Sequence, residues 1–532
     1  LLLNLLLFSC ARVGAPNGGT RDSLAPKFLG SNIDTTRLNV SRTVKELRLD
    51  FDEYVMLKDF NKNFNVSPPI KKIKKVIPSN LANKYVLIQW EDTLQANTTY
   101  NFNFGNAIVD NNESNPLPYF NFAFSTGDKI DDLFVSGTVK DAMTLIKENQ
   151  TAKDNKMVVG LYKAGENLDY KQKPDYITKV DEENYFELNF LPKGEFVIIA
   201  FDDENQNSVY DAGKEKVSFL KEKITLDSTS VRGLKLKLYP SKKVVKYKES
   251  KAINGGLLMT FEGNPETVEV KSLSEELKDF KVTHAKRSDS VNIWFDAEKS
   301  NLGGTVSKQV KLSYFTPTIS DTISVSYKAV KDEFKLSNEA GNLIAPENNF
   351  VINTSLPIEN LNTSSWKLES DSIAQDFTAK ISEKNPFKIL VNSSFKPTKK
   401  YVLTIPKETV SSYYSSNDKS FQFQFEIDKP ENYGSFTAVI KNKPTAKFWV
   451  ELTNEKGEIL YSQFTNASEV SFKNLKPATY IARIRVDNNG NGFWDEADFA
   501  QNIAAEDVYI FEKEINVRPL WEIKEDWELT NH

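Results

Sequence analysis

The sequence predicts an all-β chain made of tandem sandwiches. Apolar residues recur with period two, as at Phe102 and Phe104, at Phe120, Phe122 and Phe124, and at Phe421, Phe423 and Phe425. That is the pattern of half-buried strands. Turn signals such as Asn17-Gly18-Gly19, Asn254-Gly255-Gly256, Gly303-Gly304 and Asn489-Gly490 separate the runs, and capped helical windows are few. The 35 Phe and 20 Tyr supply large side chains for several small cores.

At the N-terminus the apolar run Leu1 to Phe8 is followed by Ser9 and by Cys10, the one cysteine of the chain. An apolar stretch, a small residue and a cysteine form the lipobox of a bacterial lipoprotein, so 1–9 is expected to be a signal and Cys10 to carry a diacylglycerol anchor. The charged start of such a signal is expected upstream of Leu1. The competing reading is a buried free cysteine in an apolar strand. Residues 10–21 follow as a linker. A single cysteine excludes an intrachain disulfide and a thiolate metal cluster.

Internal repetition orders the rest. Tyr185 to Asp211 and Val470 to Asp495 both run strand, Leu-Pro or Lys-Pro turn, strand, polar loop, and aligning Asp203 with Asp487 sets an offset of 284 residues (487 − 203). A fainter echo links Leu94 to Phe104 with Lys396 to Ile405, both preceding a polar loop and a strand of alternating Phe. The expected modules are 22–127, 128–240, 241–338, 339–429 and 430–532, in the order A, B, a third kind, A-like and B-like, the last with a C-terminal tail.

The stretch 22–127 resembles the SbsA-type bacterial Ig-like domain. Leu49 to Glu53, Asn97 to Tyr100, Phe104 to Asn112 and Phe124 to Gly127 carry the resemblance. With the lipobox, Gly18-Gly19, Asp22 and Pro26 ahead of it, the chain resembles a group of Bacteroidota Ig-like lipoproteins. The B modules at 128–240 and 430–532 look prealbumin-like. The fold class is therefore tandem Ig-like and prealbumin-like β-sandwiches behind a lipoprotein signal. Some relatives of that group sit in the β-barrel assembly machine, as part of an extracellular canopy over the site where outer-membrane barrels fold. The resemblance thus implies an outer-membrane, cell-surface location and, as partners, an outer-membrane β-barrel protein and other lipoproteins. Surface-exported lipoproteins of that phylum often carry acidic residues after the lipidated cysteine, whereas Ala11-Arg12-Val13-Gly14 follows here.

Composition excludes several functions. Lys plus Arg is 68 against Asp plus Glu 73, a net charge of −5, so there is no global field for nucleic acid. No glycine-rich phosphate loop opens a helix, which leaves nucleotide binding without support. The two histidines, His284 and His532, make neither a Ser-His-Asp triad nor a multi-histidine metal site. Acidic pairs such as Asp52-Glu53 and Asp202-Asp203 could in principle serve a glycosidase, but a solvated surface accounts for them. No catalytic residue is expected.

Three groups of candidate binding residues remain. Asp487, Asn489, Asn491, Asp495 and Asp498 have the side-chain spacing of a calcium loop, with Phe493 at the carbonyl position and Gly492 at the turn. The alternative is a hairpin loop whose Asn and Asp cap their own backbone. Asp203, Asn205, Asn207 and Asp211 repeat the early spacing more weakly, since Ser208 replaces the glycine and Lys214 stands at the last ligand position. Trp90, Trp294, Trp366 and Trp449 are expected in cores, while Trp494 in the polar loop and Trp521 and Trp527 in the tail are candidate exposed anchors for a partner or a sugar, against the favoured alternative that they pack onto their own domain. No cofactor is required beyond the lipid on Cys10, calcium being optional. The resulting reading is a non-enzymatic outer-membrane lipoprotein, a subunit of an envelope assembly. The alternative is a glycan- or peptide-binding accessory lipoprotein of a nutrient-uptake complex, and a hydrolase comes third.

Overall fold

The computed structural model describes residues 22–145, 156–165, 169–330 and 333–529. Cys10 and the run before it lie outside the described residues, as does His532. The fold is all-β. Among the described residues the helical pieces are Phe60–Asn63 and two short 3-10 turns at Thr363–Ser365 and Pro430–Asn432. The chain forms two compact units, one of Leu1–Lys140, Thr151–Tyr210 and Ser218–Leu236, the other of Asp141–Gln150, Asp211–Val217 and Lys237–His532. No helix among the described residues is long and apolar enough to cross a membrane.

In the first unit, one sandwich faces the sheet Phe28–Ser31, Glu46–Leu57, Asn83–Trp90 and Ile73–Ile77 against the three strands Asn65–Ser67, Thr99–Gly105 and Phe120–Ser125. The alternation explains the packing. Phe102, Phe104, Phe122 and Phe124 point inward onto Leu47, Leu49, Val86, Ile88 and Trp90, all buried, and each such side chain contributes about 1.5–3 kcal/mol on burial. The residues between them, Asn101, Asn103 and Asn121, take the opposite face. A second sandwich in this unit pairs Tyr176–Lys179, Met157–Lys163 and Gly194–Asp202 in one sheet, and Tyr185–Leu191, Leu133–Asp141 and Val231–Leu238 in the other.

The second unit holds three sandwiches. Strands between Lys246 and Tyr327 form the first, its opening hairpin closed by Gly255 at φ 76°, a conformation glycine adopts without steric cost. Strands between Leu336 and Ile427 form the next, and strands between Gly434 and Glu528 the last.

The repeats are visible as shared geometry. Tyr100 accepts at its hydroxyl from the Gln95 N–H at 2.9 Å, and Tyr401 accepts from the Lys396 N–H at 2.8 Å. The strand Tyr185–Leu191 bulges between Leu188 and Leu191 with Phe190 at φ 60°; Glu469–Leu475 carries the same kink before Leu475, with Asn474 at φ 53°. Strand orders match as well: Tyr185–Leu191, Leu133–Asp141, Val231–Leu238 in one repeat, and Glu469–Leu475, Gly434–Lys441, Glu522–Glu528 in the other.

That equivalence corrects the expected C-terminal tail. Residues Glu522–Glu528 are a strand, parallel to Gly434–Lys441 from Ser435↔Glu522 to Lys441↔Glu528. Trp527 is 4% exposed and its ring lies 5.2 Å from that of Phe511. It is a core residue and not an exposed anchor, because it occupies an inward position of a strand whose outward positions are charged. Trp449 departs in the other direction. It is half-buried on the outer face, stacked 4.4 Å from the Phe464 ring, while Trp90, Trp294 and Trp366 are core residues.

Candidate functional site

The polar loop that follows the strand Ala478–Asp487 is the most chemically organised stretch among the sequence candidates. Asp487, 3% exposed, turns both carboxylate oxygens onto its own backbone: Oδ1 accepts from Asn491 N–H and Oδ2 from Gly492 N–H, each at 3.0 Å. Asn489 Oδ1 accepts from the same Asn491 N–H at 3.0 Å, and Asn491 Oδ1 from Phe493 N–H at 2.8 Å. These are Asx turns in series. Asp495 accepts from Asn489 Nδ2 and Asn491 Nδ2 at 2.5 and 2.8 Å. Asp498 serves a separate turn, accepting from Gln501 N–H at 3.2 Å. The donor set with calcium spacing is thus occupied by hydrogen bonds, and among the described residues no three His, Cys, Asp or Glu gather as metal ligands.

The loop also reaches across to another sandwich of the same unit. Arg287 pairs with Asp495 at 2.7 Å and with Glu266 at 2.5 Å, and its guanidinium sits 4.7 Å over the Phe493 ring. Ala497 forms a β-bridge with Ser241, donating to Pro240 O at 3.1 Å and accepting from Lys242 N–H at 2.8 Å. Trp494 is half-buried, its Nε1–H donates to Glu506 O at 3.1 Å, and its ring lies 6.4 Å from that of Tyr239. It is part of this joint, not a free anchor. Trp521 alone of the three candidate anchors is exposed, at 48%.

Electrostatics follow from this placement. Burial by itself would raise the Asp495 carboxyl, but hydrogen bonds from Asn489, Arg287 and Asn491 and the Arg287 charge outweigh it and hold it below the ordinary value. Glu506 is raised, because burial outweighs the backbone N–H groups it receives. Sequence reasoning missed Glu506. It is 7% exposed and accepts from Asn489 N–H at 3.1 Å and Asp495 N–H at 2.9 Å.

The weaker loop has the same local geometry. Asp203 Oδ1 accepts from Asn207 N–H and Oδ2 from Ser208 N–H, each at 3.0 Å, and Asn205 Oδ1 from Asn207 N–H at 3.0 Å. Gln206 and Ser208 have φ 58° and 63° where Gly490 and Gly492 have 72° and 81°. Asp211 N–H donates to Glu215 Oε2 at 2.8 Å, so Glu215 plays the part of Glu506.

The carboxylate pairs have structural duties. Asp52 Oδ1 accepts from Lys27 N–H at 2.8 Å, and Asp110 caps its loop through the N–H groups of Asn112, Glu113, Ser114 and Asn115. Glu53 is raised by burial and then by the charges of Asp110, Asp52 and Asp22. His284 Nε2 lies 3.1 Å from Ser288 O within its own hairpin. Glu451, fully buried, is held by Arg483 Nε at 2.9 Å and by Arg485 Nε at 3.0 Å.

One feature of the first unit was not singled out in the sequence. A groove of about 940 Å³ runs between its two sandwiches, floored by Asn65, Asn103, Asn121, Ser67 and Asn101. Asn65↔Asn103↔Asn121 and Ser67↔Asn101 are cross-strand neighbours on one face. The alternation Asn-Phe-Asn-Phe marks it in the sequence, since an outward face carrying amides in place of charges is a departure from a solvated strand.

No curated protein matches the chain. Among solved structures, surface layer protein SbsC, domains 1–6, aligns over 93% of this chain and 67% of its own at 11% identity, TM-score 0.16. The glucan utilization locus protein SGBP-B of Bacteroides ovatus, solved with a mixed-linkage heptasaccharide, aligns over 74% and 97% at 10% identity, TM-score 0.20. The major pilin subunit BcpA of Bacillus cereus aligns over 75% and 99% at 11% identity, TM-score 0.13. These likenesses are too slight to bear on what this chain does. Residues 22–126 match the bacterial Ig-like domain family, and the first sandwich of the chain is a domain of that kind.

Proposed function

We propose that the chain is a non-enzymatic structural subunit of a bacterial envelope assembly, anchored to the outer membrane by lipid on Cys10 and displayed at the cell surface. The observation that carries the non-enzymatic part is the use of the loop richest in candidate chemistry as a joint: Asp487, Asp495 and Trp494 are engaged with backbone, Arg287 and Tyr239. Binding energy in such a chain resides in extended surfaces. Extracellular service in the β-barrel assembly machine is the favoured assembly, supported by the resemblance carried by Leu49 to Glu53 and Phe104 to Asn112. Affinity purification from detergent-solubilised membranes tests it. An outer-membrane barrel of the assembly machine among the co-purified proteins supports the reading, while a nutrient porter with its substrate-binding lipoprotein replaces it with the uptake alternative.

Calcium is not required in this reading. Of the two loops, that at Asp487 is the stronger candidate, since Gly492 stands at its turn where the other loop has Ser208. A cation there must displace Arg287 from Asp495. Calorimetry should therefore find a calcium heat in Arg287→Ala that a further Asp487→Ala removes, and no heat in that background would leave both loops as hairpins.

A further inference from the structure

The groove of the first unit combines features that the scaffold reading leaves unused. Its floor is an amide ladder, in which Asn103 Oδ1 accepts from Gly105 N–H at 2.9 Å and Asn121 Nδ2 donates to Tyr119 O at 3.0 Å, the remaining amide groups being left for a ligand. Asn101 Oδ1 and Asn121 Oδ1 are buried there without a donor, and Asn101 is 9% exposed as a residue. Two tyrosines stand at the rim. Tyr119 is 69% exposed and Tyr185 39%, and both line the groove. Tyr119 is held at φ 51°, a region bulky residues rarely enter, with its N–H donating to Asn106 Oδ1 at 3.1 Å. A strained backbone that keeps an aromatic ring in solvent at the mouth of a polar groove is explained by a ligand for that ring. The two walls are fixed to one another, since Ile177 N–H donates to Ser67 Oγ at 3.2 Å.

We propose that this groove binds an uncharged oligosaccharide. The volume, about 940 Å³, is at the upper end of the range for small-ligand sites and accommodates several sugar rings. Hydroxyl groups, as donors and acceptors at once, satisfy the orphaned amide oxygens and the neighbouring amide N–H groups together. The tyrosine rings offer apolar faces with a polar tip, suited to the mixed surface of a pyranose. Charge argues against an anionic ligand: Lys58, Lys62 and Lys179 are outnumbered round the groove by Asp59, Asp181, Glu182, Glu183 and Glu187. This site is independent of the scaffold reading, because neither Cys10 nor the Arg287 joint contributes to it.

The test is calorimetry on the full chain with neutral hexasaccharides (cello-, laminari-, xylo- and mannohexaose), an acidic oligogalacturonate for comparison, and a decapeptide library. At least one neutral hexasaccharide should give saturable binding. Tyr119→Ala should weaken it tenfold or more with unchanged melting temperature. Asn101→Leu should weaken it likewise while leaving the melting temperature equal or higher, since it removes an unpaired buried oxygen; a purely structural asparagine would not separate the two readouts. The assignment is overturned if no neutral hexasaccharide binds, if binding is indifferent to both substitutions, or if the acidic sugar or peptides bind in its place and are lost in the same variants.

Discussion

At the scale of single residues, the two polar loops are a natural experiment in backbone strain. The same left-handed positions are filled by Gln206 and Ser208 in one loop and by Gly490 and Gly492 in the other. A Cβ on Gly490 or Gly492 would meet nothing within 4 Å, so only the backbone resists it. Gly492→Ala should cost about 1–2 kcal/mol, and Ser208→Gly should gain about 0.5–1 kcal/mol once the greater freedom of glycine in the unfolded chain is set against relieved strain. Urea melts of the two variants check the opposite signs. Arg287 supplies a pH test. Asp495 and Glu266, its partners, both lie below their ordinary values, burial being outweighed by hydrogen bonds and by its charge. Carboxyls lowered on folding stabilise above their unfolded pKa values and lose that contribution as pH falls through the folded ones. Arg287→Gln should therefore cost about 1–3 kcal/mol at pH 7, and the difference from the parent should shrink below about pH 4. A penalty independent of pH would place the effect in packing over Phe493.

At the scale of elements, the strands were legible wherever outward positions were polar and inward ones apolar, as in Thr99–Gly105 or Phe421–Ile427. The strand Glu522–Glu528 was hidden because its inward residues, Ile523 and Trp527, stand four apart among charges, so no alternation could be read. Its partner lies 87 residues upstream (522 − 435) and parallel, and only the repeat, by analogy with Val231–Leu238, could have revealed it. Trp494 follows the packing alternative, and its contact was hidden for a related reason: Tyr239, which meets its ring, lies far off in sequence. These placements separate the two C-terminal tryptophans. Trp527→Ala should destabilise the last sandwich by about 3–5 kcal/mol. Trp521→Ala, at a 48% exposed side chain, should stay within about 0.5 kcal/mol. Thermal melts decide it. Comparable effects would mean that the strand is not a constituent of the core.

At the scale of the whole molecule, the second unit gains its integrity from joints that sequence patterns do not encode. Lys281 pairs with Glu359 at 2.5 Å, the Tyr414 hydroxyl reaches Asp279 at 3.2 Å, and Trp294 meets Phe387 at 6.0 Å, all between its first two sandwiches. Asn474 Nδ2 donates to Pro346 O at 2.9 Å between the second and third. The loop of Asp495 and Phe493 then returns the third to the first through Arg287. Tandem domains move relative to one another unless an interface prevents it, and here each sandwich of the unit is tied to the other two. The surfaces of the unit are thereby held at fixed spacing. The loop joint links the two sandwiches of the unit that lie furthest apart in sequence, so cutting it should matter most. In the double variant Arg287→Ala, Trp494→Ala, differential scanning calorimetry should show the last sandwich melting as a separate, earlier transition, and protease should cut within 488–506 before any other site in the unit. A single transition unchanged from the parent, with 488–506 still protected, would mean that the other two joints suffice to hold the unit together.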